Sequence, residues 1–393
     1  MQLSKKIILI LLTIAVFIIS CSKKTTPITS PGFAPAKVFY NRSQFVMGAD
    51  LSYVNQVQDY GGVYKDSAIT KDPFTIFKNH GTNVVRVRLW HNPIWLKPLN
   101  AGKMYSDLYD VERTIQRAKA AGMAVNLDIH YSDTWADPAN QTIPAAWAGA
   151  SLAVLKDSVY NYTMAVLNYL KTKNLVPEMV QVGNENNSGM LWPLGQTTGN
   201  NFTAFCSLLK SGIKAVRDFS TTSTIKPEII LHVAQLHNAA FWCSNVIITG
   251  GVTDFDIIGL SLYSKWGTIN AMADIKTNIS SLKTTYGKKI MIVETGYPFT
   301  TASADSYNNL IDATAQVSGY AISNDGQYNY MKDLTQAVIS GGGSGIMYWE
   351  PAWITSPLKD LWGTGSSWEN MCLFDFSGNA LPAMDYMNYA YQF

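Results

Sequence analysis

The chain has 393 residues, 47% of them hydrophobic, enough to bury the core of one large α/β domain or two smaller ones. Charged residues make up 15% and the net charge is +2, a balance that offers no basic field for nucleic acid and no acidic tail. Eleven Trp and 21 Tyr supply flat apolar faces with polar edges, the kind of surface that lines sugar-binding clefts.

At the N-terminus, Lys5 and Lys6 precede an apolar run from Ile7 to Ile19 that is short for a bilayer span, and Ser20 and Cys21 follow. This pattern is a secretory signal. Ile18-Ile19-Ser20-Cys21 has the form of a bacterial lipobox, which makes residues 1–20 a lipoprotein signal peptide and Cys21 the acylated first residue. An ordinary signal peptide cleaved elsewhere is the alternative. Residues 21–44, rich in Lys, Ser, Thr and Pro, read as a flexible tether, and the folded domain is expected over residues 45–393. Cys21, Cys206, Cys243 and Cys372 show no CxxC spacing, so neither zinc nor thioredoxin-like chemistry is indicated.

Eight apolar runs of strand length follow: VMGADLS, NVVRVRLW, AVNLDIH, MVQVGNE, EIILHVA, DIIGLSLY, IMIVETGY and GIMYWEP. Segments with helical periodicity lie between them, such as DVERTIQRAKAAG and SLAVLKDSVYNYTMAVLNYLKTKN. Alternation of this kind implies parallel strands, and eight units predict an α/β fold, a single (β/α)8 TIM barrel. A doubly wound open sheet would carry a GxGxxG turn after an early strand, and none is present.

Barrel enzymes draw catalytic residues from the C-terminal ends of their strands. Here those ends carry Asp50, Arg86 with Arg88, Asp128 with His130, Asn184 with Glu185, His232, Tyr263, Glu294, and Trp349 with Glu350. The fourth and seventh strands face each other across the mouth, so Glu185 and Glu294 can share one cleft. Two such carboxyls are the minimum equipment for hydrolysing a glycosidic bond. One of Arg86 and Arg88 is positioned to keep a nucleophilic carboxylate ionised, which leaves the other as a buried structural guanidinium. Tyr263 either bonds that nucleophile or packs in the core. His130 and His232 either satisfy core hydrogen bonds or take part in catalysis. No trio has metal-ligand spacing.

Beyond these positions, GADLSYV, DYGGVYKDSA, VRVRLWHNP, DIHYSDTWADPANQ, VQVGNENNSGMLWP, VETGYP, YWEPAWI and WENMCLFDFSGNALPA together resemble glycoside hydrolase family 53, the arabinogalactan endo-β-1,4-galactanases of the retaining barrel clan. The likeness runs from about Val46 to Pro382. It implies Glu185 as acid/base, Glu294 as nucleophile, Arg86 as the clan arginine and Asn184 as the partner of the sugar 2-hydroxyl. Trp90, Asp128, His130, Trp192, Tyr263 and Trp349 would then shape the subsites, with His232 beside them. Where some bacterial members carry a calcium loop, TGYPFTTASADSYNN offers only Asp305, Asn308 and Asn309, fewer oxygens than Ca²⁺ usually takes. No cofactor is therefore expected to be required, and structural calcium at those three residues stays an open expectation.

The expected protein is a lipid-anchored, monomeric enzyme cleaving galactan and galacto-oligosaccharides, held to the membrane through its anchor. It would face outward from the outer membrane, with the periplasmic side as second choice. A barrel glycanase acting on mannan, or a catalytically silent glycan-binding lipoprotein, are the competing readings.

Overall fold

The computed structural model describes residues 43–393. Cys21, the signal segment and most of the expected tether lie outside the described residues. Eight parallel strands close on themselves: β1 (Val46–Asp50), β2 (Val84–Leu89), β3 (Ala124–Ile129), β4 (Met179–Val182), β5 (Glu228–Ala234), β6 (Ile257–Leu262), β7 (Lys289–Thr295) and β8 (Gly345–Tyr348). Each pairs with its sequence neighbour, and β1 pairs with both β2 and β8. The result is the predicted (β/α)8 barrel.

Nearly every strand residue is buried, because a barrel strand has side chains on its inside and helices on its outside. The inside is filled by Val46, Val84, Ala124, Met179, Ile230, Ile257, Met291, Val293 and Met347, which form a plug beneath the C-terminal mouth. The larger core lies between strands and helices. Those helices include α1 (Val54–Asp59), α2 (Pro73–Asn79), α3 (Leu108–Ala120), α4 (Leu152–Thr172), α5 (Thr203–Ser220), α6 (Leu236–Cys243), α7 (Met272–Tyr286) and α8 (Asn324–Ser340). Their starts are legible in the chain. Asp72, Asp107, Ser151 and Ser323 each accept a hydrogen bond from the backbone two or three residues into the helix that follows, satisfying an otherwise orphaned amide.

No full α-helix follows β8 among the described residues. A long loop crosses the barrel mouth instead, and the turn Pro382–Asn388 packs against α8. That loop brings Trp353, Trp362 and Trp368 over the strand ends.

Candidate active site

Glu185 sits three residues beyond the end of β4, after a tight reversal. Gly183 has φ 82° and Glu185 itself φ 44°. A Cβ on Gly183 would meet Asn186 Oδ1 at 2.4 Å, so only glycine fits there. A non-glycine residue held at positive φ is a strained setting that packing must impose, and such settings gather at functional sites. Here the reversal leaves the Glu185 side chain half-buried and bordering the cleft. Its Oε1 accepts a hydrogen bond from Ser261 Oγ at 2.5 Å.

Glu294 reaches the cleft by a different device. Met291 and Val293 already point into the barrel, so strict alternation would send Glu294 outward. The β6–β7 register breaks between Leu260 and Ser261: Leu260 pairs with Ile292, but Ser261 pairs with Glu294. The extra residue, Val293, resets the phase of β7 and turns Glu294 inward beside Ser261, the re-aiming that a bulge allows.

Arg86 is the hub between the carboxyls. Its Nη1 lies 2.7 Å from Asp50 Oδ2, and its Nη2 lies 2.8 Å from both Asp128 Oδ2 and Glu294 Oε1. Nη2 also donates to Asn184 Oδ1 at 2.9 Å. Tyr263 donates its hydroxyl to Glu294 Oε2 at 3.1 Å. Both oxygens of Glu294 are therefore served by donors.

The two glutamates hold protons unequally. Burial, and next the charge on Glu294, push the Glu185 carboxyl well above the usual glutamate range, against the opposing pull of Ser261 and Arg86. Burial also raises Glu294, but Arg86 and the Tyr263 hydroxyl draw it back, leaving it at about 7. The two titrate as a pair, and the guanidinium decides which member ionises first. Asp128 stays below its ordinary value despite burial, because Arg86 and His130 face it. His130, pushed down by burial, receives the Ala136 amide at Nδ1 (3.2 Å) and turns Nε2 to Asp128 at 3.0 Å.

Arg88 plays the structural part. It pairs with buried Glu350 at 3.1 Å and donates to Ser106 Oγ at 3.1 Å. The rings of Trp135, Trp90 and Tyr53 lie 4.1, 4.6 and 4.8 Å from its guanidinium carbon. It thereby fixes the floor under an aromatic wall in which Trp135 and Trp349 lie 6.0 Å apart and Trp353 stacks on Tyr53 at 3.8 Å.

The cleft has a volume of about 950 Å³. Of the residues proposed from sequence, it is bordered by Arg86, His130, Asn184, Glu185, Tyr263, Glu294 and Trp349. Four others do not line it. Trp90 is buried under Arg88, and Asp128 is buried on Arg86 and His130. Trp192 anchors its own loop through Nε1 to Ser188 O at 2.9 Å. His232, fully buried, backs Ser261 at 2.8 Å. Trp90, Asp128 and His232 thus contact residues that border the cleft or back them, while Trp192 bonds within its own loop. Sequence reasoning passed over Ser261, Trp135, Trp353, Trp266 and Trp362. Period two back from Tyr263 on one strand was the available signal for Ser261, and the quoted HYSDTWADP and YWEPAWI motifs held Trp135 and Trp353.

Of the three calcium candidates, Asp305 has protein donors on both carboxylate oxygens, while Asn309 Oδ1 is buried without a hydrogen-bond partner. Asp305 spends its carboxylate on Tyr307 N (2.8 Å), Ser366 N (2.9 Å) and the Thr355 hydroxyl. Asn309 donates to Ser303 Oγ at 2.9 Å, and Asn308 is exposed. Among the described residues no group of three or more His, Cys, Asp or Glu could hold a metal ion.

A pair of carboxyls that gives up its protons in a set order, at the mouth of a (β/α)8 barrel and beneath aromatic walls, is what glycosidic bond cleavage requires. Fold and site together define a barrel glycoside hydrolase. The chain belongs to glycosyl hydrolase family 53, whose sequence model matches residues 46–387. The arabinogalactan endo-beta-1,4-galactanase of Cellvibrio japonicus is 42% identical over 357 residues, covering 90% of this chain and 93% of that protein. The endo-beta-1,4-galactanase of Bacillus subtilis is 33% identical over 389 residues, covering 90% and 88%. Among solved structures, the GH53 catalytic domain of Ignisphaera aggregans matches with a TM-score of 0.80 at 34% identity, covering 92% of this chain and 100% of that one.

Proposed function

We propose that this chain is an endo-acting, retaining β-1,4-galactanase in which Glu185 is the acid/base and Glu294 the nucleophile. The observation that carries the assignment is the asymmetry at the two carboxyls. Arg86 and Tyr263 both serve Glu294, while Glu185 has only a hydroxyl partner and the higher proton affinity. In the first step the Glu185 proton moves to the glycosidic oxygen as that bond breaks, and a Glu294 oxygen forms a bond to the anomeric carbon. The shortened chain leaves as an alcohol. In the second step Glu185, now a carboxylate, takes a proton from water. The water oxygen displaces Glu294 from the opposite face, restoring the original anomeric configuration. While the ester exists Glu294 carries no charge, so one cause of the raised Glu185 proton affinity disappears when a base is needed.

Aromatic faces at Trp135, Trp349, Trp353 and the half-exposed Trp266 and Trp362 suit the apolar faces of successive sugars. The galactan specificity rests on the relatives' activity. The test is digestion of pectic galactan followed by proton NMR and sizing of the products. Internal cleavage releasing β-configured reducing ends is expected. Release of single galactose units, α-configured ends, or preference for mannan would overturn the reading.

The cellular setting follows from the chain's first residues. A lipid on Cys21 would hold a monomeric enzyme at the outer face of an outer membrane. Polymeric substrate is too large to enter an ordinary porin, which favours that face over the periplasmic side.

A further inference from the structure

Behind Glu185 lies a chain of buried groups with a readable hydrogen-bond direction. The Glu185 backbone N–H, which can only donate, faces His232 Nδ1 at 3.2 Å. Gln181 Nε2 faces the same nitrogen at 2.8 Å. The Gln181 amide is oriented because Arg86 Nε donates to its Oε1 at 3.4 Å. Asn184 Oδ1 also lies 3.0 Å from Nδ1, but it already accepts from Arg86 Nη2 (2.9 Å) and Gln181 Nε2 (3.2 Å), two bonds for two lone pairs. Nδ1 of His232 therefore carries the lone pair and Nε2 the hydrogen. Burial, and after it the charge of Arg86, keep the ring neutral. Nε2–H then donates to Ser261 Oγ at 2.8 Å, which leaves the Ser261 hydroxyl hydrogen for Glu185 Oε1 at 2.5 Å. Both residues are fully buried and neither borders the cleft.

We propose that His232 and Ser261 are positioning residues that commit Glu185 Oε1 to accepting, so that Oε2 alone carries the proton delivered to the glycosidic oxygen. The same donor then steadies the carboxylate that deprotonates water in the second step. This rests on the reading of Glu185 as acid/base. The proton on Oε2 leaves with the departing sugar, and a water proton replaces it there, so the chain through Ser261 neither gains nor loses a proton over the cycle.

A substrate with an activated leaving group separates the two duties. Dinitrophenolate leaves a β-1,4-galactobioside without help from an acid, so ester formation on Glu294 proceeds unaided, while ester hydrolysis still needs the carboxylate of Glu185. In Ser261→Ala the second step slows, the ester accumulates, and kcat and KM fall together with kcat/KM nearly unchanged. The expected loss in kcat is roughly ten- to a hundredfold, the effect of a hydrogen bond to a charged group. Azide needs no base, so adding it raises kcat of Ser261→Ala, which damage to the fold would not allow. His232→Asn, which leaves Ser261 free to rotate, shows the same signature to a smaller degree. Glu185→Ala is measured alongside. If Glu185→Ala accumulates ester and responds to azide while Ser261→Ala keeps wild-type kcat, or loses kcat/KM with no azide response, the positioning role is overturned. If Glu185→Ala itself shows neither signature, the acid/base reading falls instead.

Discussion

Replacing Arg86 with Leu removes the one cation that three buried carboxylates share. Asp50, Asp128 and Glu294 are each within 2.8 Å of its guanidinium and at most 7% exposed in their side chains. Breaking a single buried ion pair by deleting one partner costs about 3–5 kcal/mol. The variant can reduce that cost by protonating a carboxyl, at about 1.4 kcal/mol per unit of pKa. Glu294 is the first to take the proton, being already raised to about 7 with the arginine in place. Each further unit of upward shift leaves roughly tenfold fewer ionised nucleophiles at neutral pH, so kcat/KM on galactan should fall on the order of 10²–10⁴-fold.

The stability loss has a pH signature of its own. In the variant Glu294, already raised to about 7 beside the arginine, has a folded pKa further above its unfolded one. The folded state then binds more protons in the window between the two, and the deficit grows as pH rises through it. Paired melting curves at pH 5 and pH 8 should show a smaller difference from wild type at pH 5. Arg86→Lys keeps the charge but not the fork that reaches several acceptors, and should fall between the two. An Arg86→Leu enzyme within tenfold of wild-type kcat/KM, or with a melting deficit that shrinks towards pH 8, would refute the reasoning.

The Glu185 carboxyl should titrate lower in Glu294→Gln than in wild type, because the Glu294 charge is one cause of its raised value. Carbon-13 detected titration checks this, and an unchanged value would mean the two do not interact. Trp362 is 56% exposed and meets Trp95 edge-on at 5.9 Å. Trp362→Ala should therefore raise KM on long galactan about fivefold to tenfold with the melting temperature nearly unchanged; an unaltered KM would remove Trp362 from the substrate path. Cys21→Ser should move the protein from the membrane fraction to the soluble one, and protease should shave the wild type from intact cells. Wild-type protein found soluble would reject lipidation, and resistance to shaving would move the enzyme to the periplasmic side.

The strands were readable because barrel strands are buried on both faces. NVVRVRLW and IMIVETGY stand out as apolar runs, and the polar residues ending them can only lie at the mouth. Glu185 and Glu294 followed directly from that rule. The bulge at Val293 was not readable, since it depends on how β7 pairs with β6, yet it is what turns Glu294 inward. Whether a strand-end side chain meets substrate or backs another residue was hidden for the same reason. His232 and Asp128 end strands as Tyr263 does, but neighbouring side chains cover them. Trp90 lies against Arg88 and Trp192 bonds within its own loop, partners that residue type alone does not reveal. Arg86 and Arg88 are two residues apart on one strand, and only the partners separate them: Glu294 for one, Glu350 for the other.

The division of labour between the two glutamates is tested most directly by trapping the covalent intermediate. An activated β-1,4-galactobioside carrying fluorine at C2 of the reacting sugar forms the ester but hydrolyses slowly, since fluorine destabilises the cationic transition state of both steps. After proteolysis, mass spectrometry should find one added fluorogalactobiosyl group, on the Glu294 side chain of the peptide containing Ile292-Val293-Glu294-Thr295. A label on Glu185, or none despite turnover of the unfluorinated compound, would contradict the assignment.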